Sequence, residues 1–169
     1  MDLLDRFLGH DAATTRDLLA LCLPLTDEQL DRPLGIDHGT LRDTCVHLVA
    51  VMETWTDFML GQPVRWETMP RDRPRSIAEL SQRFESVARD FAALAGRIQA
   101  EGSWDDTFVD VWQGRRKTLG AGIAHVLTHN MAHRTHAFAM LDRLGVADVP
   151  EGDVLGWERR LRGGWETVT

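Results

Sequence analysis

Hydrophobic residues recur every three or four positions in several long stretches of this chain, which is the spacing of one face of an α-helix. From about Asp2 to Leu23, Leu4, Phe7, Leu8, Leu18, Leu19 and Cys22 keep that spacing, and Pro24 ends the run. Thr26 and Gln29 form a capping box for a short helical turn. The segment Arg32 to Gly39, with a proline and two glycines, reads as a connection. A second helix starts at Thr40 and runs to about Leu60, with Leu41, Cys45, Leu48, Met52, Trp55 and Met59 in one stripe. Gly61 and Pro63 close it, and Val64 to Arg75 reads as a loop. The third helix opens on the capping box Ser76–Glu79 and carries Ile77, Leu80, Phe84, Val87, Phe91, Leu94 and Ile98, the seam of a bundle.

The helical period stops between Ser103 and Lys117. Trp104, Phe108, Val109, Val111 and Trp112 stand there among Asp, Thr and Gly, as expected of a short hairpin. A fourth helix covers about Thr118 to Leu144, with Gly145 as its cap, and the tail beyond Pro150 holds enough apolar residues for one short packing helix. The pattern predicts an all-α protein: a four-helix bundle with a β-like excursion between helices three and four, forming one domain over residues 1–169.

Composition narrows the function classes. A net charge of -7 argues against a nucleic-acid surface. Arg115-Arg116-Lys117 is the one basic cluster, and reads as a solvated turn. Cys22 and Cys45 form no CxxC pair, and no apolar run approaches the length of a membrane span. The N-terminus is acidic and broken by charge, unlike a signal peptide, so a reduced cytoplasmic setting is expected. The tryptophans are expected in the core.

Candidate chemistry concentrates in the fourth helix, where His125, His129, His133 and His136 account for four of the seven histidines. On a helix turning about 100° per residue, they project within about 80° of one another. His129 and His133 are an i, i+4 pair, with Cβ atoms roughly 6 Å apart, a gap that a divalent ion can bridge. A third ligand must come from elsewhere: His47 on the shoulder of helix two, His10 on helix one, or His38 in the glycine-rich connection. A single ion cannot take all four nitrogens of the fourth helix, which spread over about 16 Å of axis. His125 and His136 are therefore pocket-lining or proton-transfer candidates, and Asp43, one turn before His47, is a candidate to support a ligand imidazole. The segment lacks the HExxH of a zinc protease, and the fourth helix has no glutamate for a ferritin-like di-iron site. Cys45 and His47 are two apart on a helix and cannot ligate together.

The segment from His125 to Arg134, the mid-helix histidine in Leu41-Arg-Asp-Thr-Cys-Val-His47-Leu, and their order and separation resemble the DinB family, also called DinB/YfiT-like metalloenzymes. The resemblance runs from the first helix to about Pro150. The family's fourth-helix pattern resembles H-x-x-N-H-x-x-H-H-R-G-Q, so the resemblance implies His47, His129 and His133 as metal ligands. This chain departs from the pattern at Thr128, Ala132, Thr135 and His136, and His136 adds a titratable group near the ion. The family further implies a four-helix fold, a homodimer, and a divalent ion, zinc or nickel. It implies a metal-dependent transferase acting with a low-molecular-weight thiol on a small-molecule substrate, with no nucleic-acid or membrane partner. The rival readings are hydrolysis by a metal-bound hydroxide and a non-catalytic metal-binding stress protein.

Overall fold

The computed structural model describes residues 1–68, 74–150 and 152–165, without the side chains of Glu67 and Thr68. Part of the predicted loop from Val64 to Arg75 therefore lies outside the described residues.

Each long helix begins where a polar side chain can take up the free backbone N–H groups of its first turn. Helix α1 (Leu3–Cys22) starts on a capping box between Asp2 and Asp5, a signal the apolar pattern does not carry. The short α2 (Asp27–Leu30) starts on the Thr26–Gln29 box. Thr40 caps α3 (Leu41–Leu60), Ser76 and Glu79 box α4 (Ile77–Glu101), and Thr118 caps α5 (Leu119–Arg143). Gly145, at φ 77, lies just past α5, where the left-handed conformation closes the helix. Helix α6 (Val154–Arg162) is the predicted tail helix. The predicted hairpin is present as antiparallel β1 (Thr107–Asp110) and β2 (Arg115–Thr118), paired Thr107 to Thr118. It leans on α3 and α5. Lys117 is not solvated as expected: its Nζ is 2.7 Å from Oδ2 of the buried Asp110 and stacks over Trp55.

In the bundle, α3 packs against α4 and α5, and α1 against α5 and α4, so α1 and α3 sit across one diagonal and α4 and α5 across the other. The connection from Leu23 to Thr40 therefore crosses an end of the bundle. Arg42, buried at the start of α3, holds that connection by donating to Asp27 and Asp31 and to the Arg75 carbonyl. The core is the joint product of four stripes: Leu18 of α1, Leu48 and Met52 of α3, Phe84 and Phe91 of α4, and Met140 and Leu141 of α5. The seven seam residues of α4 are all buried. Phe7, counted with the apolar face of α1, is instead exposed. Of the tryptophans, Trp157 is buried and Trp55, Trp66 and Trp104 pack on the core, whereas Trp112 and Trp165 are exposed.

One face of α5 is pinned to α1 by charge. Arg134 and Asp11, each only a few per cent exposed, form an ion pair, and Arg134 Nη1 also donates to Thr15 Oγ1 at 3.0 Å. Asn130 Nδ2 donates to the other Asp11 oxygen at 3.3 Å. Removing one partner of such a pair strands a buried charge. Asp11→Ala is expected to cost about 3–5 kcal/mol in denaturant unfolding. A loss below about 1 kcal/mol would show that water reaches Arg134 readily.

Candidate metal centre

The periodicity of α5 decides which imidazoles meet. His129 and His133 are one turn apart, half-buried, with ring centroids separated by 4.2 Å. Across the helix interface, His47 of α3 reaches the same point. The Nε2 atom of His129 lies 3.1 Å from Nε2 of His133 and 3.1 Å from Nε2 of His47. Nitrogens held about 2.0–2.1 Å from a tetrahedral ion stand roughly 3.4 Å apart, so each of these two spacings is near that of a pair of ligands.

The proton inventory of these three nitrogens points the same way. A ring nitrogen carries in its plane either one hydrogen or one lone pair. Asp37 Oδ2 lies 2.6 Å from His133 Nδ1, and a carboxylate there requires Nδ1–H. In the neutral ring, His133 Nε2 then carries a lone pair. His129 Nε2 has two nitrogen neighbours and at most one hydrogen to offer them, so it cannot make two good hydrogen bonds. Its Nδ1 is buried with no hydrogen-bond partner among the described residues. Three imidazoles that cannot satisfy one another by hydrogen bonding fit a cation accepting their lone pairs. The donor set therefore suits a divalent transition ion.

Burial disfavours the charged forms of His47 and His129. Burial, followed by the neighbouring His38 and His133, pushes the His47 pKa down to about 4. Burial, followed by His133, His47 and His125, pushes His129 down to about 4 as well. Their nitrogens thus hold lone pairs at neutral pH. Burial works to raise the pKa of Asp37, but the hydrogen bond and charge of His133, with His38 and His136, prevail and hold it below the ordinary value.

The remaining predicted residues are placed as follows. His136 stands at the rim, with Nδ1 3.7 Å from Asp37 Oδ1 and its side chain half exposed. His125 is exposed, with its ring 5.3 Å from that of His129 and edge-on to Trp55 at 4.7 Å. Burial, and secondarily the charge of Lys117, lowers its pKa. His10 is not at the site: its Nε2 is 2.8 Å from the Gly152 carbonyl, against Trp157. Asp43 does not support an imidazole either. Its carboxylate accepts from Thr40 Oγ1 at 2.7 Å, as part of the α3 cap.

That supporting role falls to Asp37, which the pattern did not single out. It sits in the connection before α3 at φ 50, a left-handed conformation that aspartate tolerates better than most residues. His38, beside it, has its ring 3.8 Å from that of His47, and one nitrogen each of His38, His47 and His133 lie within 4.8 Å of one another. This group of histidines could hold a metal ion. The legible signal was Gly35-Ile-Asp-His-Gly39, where two chemically active side chains stand between glycines just before a helix cap.

The bundle and its convergent imidazoles define a class: helical proteins with a histidine cluster between two helices. A model of the DinB family matches residues 2–159, and the chain belongs to that family. No curated protein matches the chain.

Two outcomes follow from this geometry. Because His47 and His129 bind protons less tightly in the fold than the ordinary 6.5, the unfolded chain takes up more protons between pH 6.5 and about 4. The thermal midpoint of metal-free protein should therefore fall as pH drops through that window, and the fall between pH 6.5 and 5 should shrink in His129→Ala. An identical slope in wild type and variant would count against the neutral imidazoles. For Asp37→Ala, metal affinity in a chelator competition should weaken about 10–100-fold. Unchanged affinity would mean that His133 is oriented without its carboxylate.

Proposed function

We infer that this protein holds a divalent transition ion, zinc or nickel, on His47, His129 and His133. In this reading it is an enzyme that activates a low-molecular-weight thiol for transfer to an electrophilic small molecule. The observation that carries the reading is the approach of His47 Nε2 and His133 Nε2 to Nε2 of His129, with His133 held in one tautomer by Asp37. A bound divalent ion would supply a Lewis acid that lowers the pKa of a thiol beside it.

The chain's own residues supply the rest. Three neutral imidazoles bring no negative charge to cancel that of the ion, which favours an anionic ligand such as a thiolate. The thiol must come from a second molecule, because Cys22 and Cys45 are sealed in the core at 0% exposure. The Cys45 thiol is also pushed well above its ordinary pKa, by its contact with Cys22 and by burial. His125, neutral and exposed beside Trp55, is placed to take up the thiol proton, and the tryptophan ring offers an apolar wall to the electrophile. His136, half exposed at the rim with Nδ1 3.7 Å from Asp37 Oδ1, would line the approach to the ion.

Untagged protein should carry about one equivalent of transition metal by mass spectrometry, and His47→Ala and His129→Ala should both lose it. The metal-loaded wild type should consume a chromogenic electrophile only when a low-molecular-weight thiol is added. Thiol-independent hydrolysis would favour water over thiol as the nucleophile. Metal bound with no saturable turnover across a panel of thiols would leave a binding protein.

A further inference from the structure

We propose that His38 is a fourth ligand of the same ion, carried on the connection before α3 and exchangeable with substrate. The proposal rests on the metal reading above and adds a second state to that site.

The ring of His38 stacks against His47 at 3.8 Å, tilted by 37°, and its centroid lies 5.3 Å from that of His133. It can present a nitrogen within 4.8 Å of nitrogens on both rings. A third histidine in this position has no role in the core, since its side chain is 38% exposed. Nor does it complete a hydrogen-bond network: the polar group that approaches it is its neighbour Asp37, at 3.9 Å from Nε2. A neutral imidazole could gain more hydrogen bonds by turning out to water. It lies instead against His47, with a nitrogen within reach of both His47 and His133.

The backbone explains why this imidazole can come and go. Asp37 at φ 50 and Gly39 at φ 91 put left-handed residues on both sides of His38. The turn is closed by Leu34 N–H donating to the Gly39 carbonyl at 2.9 Å and by Gly39 N–H donating to the Ile36 carbonyl at 2.8 Å. His47, His129 and His133, by contrast, are fixed by long helices whose other faces are in the core. Of the four imidazoles, His38 is therefore the one whose departure disturbs least. The Asp37 carboxylate ties the turn to His133, so leaving moves the ring and not the whole connection. With His38 in place, its imidazole would be available to an ion held there alongside the helix histidines. With His38 swung out, that position would be open to an incoming thiolate, with no covalent bond within the protein made or broken.

The test is X-ray absorption on the zinc-loaded full chain, which counts imidazoles around the ion, together with chelator competition for affinity. Wild type should show four imidazoles. His38→Ala should show three plus a lighter oxygen donor, bind zinc at least about tenfold more weakly, and keep its helical circular dichroism. Adding a low-molecular-weight thiol to the wild type should replace one imidazole by sulfur. Three imidazoles in both proteins, with equal affinity, would overturn the role of His38 while leaving the three-histidine site standing. Zinc that fails to bind, or that binds His129→Ala as well as wild type, would overturn the underlying reading instead.

Discussion

Two imidazoles one turn apart can meet at a point only while the helix beneath them stays regular, and much of this structure serves to keep α5 so. Its N-terminus is held by Thr118, its C-terminus by the left-handed Gly145, and its far face by the buried Arg134–Asp11 pair and Asn130. Asn130 and Arg134 each directly follow a site histidine, on the side turned towards α1. The short sequence His129-Asn-Met-Ala-His-Arg134 thus alternates between two neighbours, imidazole towards α3 and anchor towards α1. Changing an anchor would alter where a nitrogen points without touching it.

The distribution of charge is as telling as the distances. The bundle interior neutralises its own ions locally: Arg134 with Asp11, Arg42 with Asp27 and Asp31, Arg83 with Glu53. The histidine cluster receives no such treatment. Among the described residues, the carboxylate in contact with it is that of Asp37, which hydrogen-bonds His133 from outside the cluster and lies within 4 Å of His38 and His136. An arrangement that brings nitrogens together while leaving nearly all anions at a distance is suited to a cation that must still attract a negatively charged ligand.

The helices were legible because helix formation repeats. Seven residues of α4 fall on one seam, and each was buried as its spacing predicts. The caps at Thr40, Ser76 and Thr118 were readable because an orphaned N–H needs a short polar acceptor nearby in sequence. The shared face of His129 and His133 was legible in the same way, whereas periodicity left the third histidine open among His47, His10 and His38, and the family resemblance pointed to His47. Asp37 and His38 were harder, because a turn has no period: their positions depend on left-handed dihedrals at residues 37 and 39 and on a chain path across the bundle end. Asp43 illustrates the converse error. It is one turn from His47 on the same helix, yet the N-cap claimed its carboxylate first.

The diagonal placement of α1 against α3, and of α4 against α5, bears on how the molecule assembles. Of the long helices consecutive in sequence, only α3 and α4 are also close-packed neighbours. The chain cannot form by folding successive helical hairpins, and its decisive contacts join segments far apart in sequence. The histidine cluster needs α3, α5 and the α1–α3 connection together, so it exists only once these segments have docked. Any ion captured there binds the assembled bundle and not its parts, and its binding energy is therefore spent on holding the final topology closed.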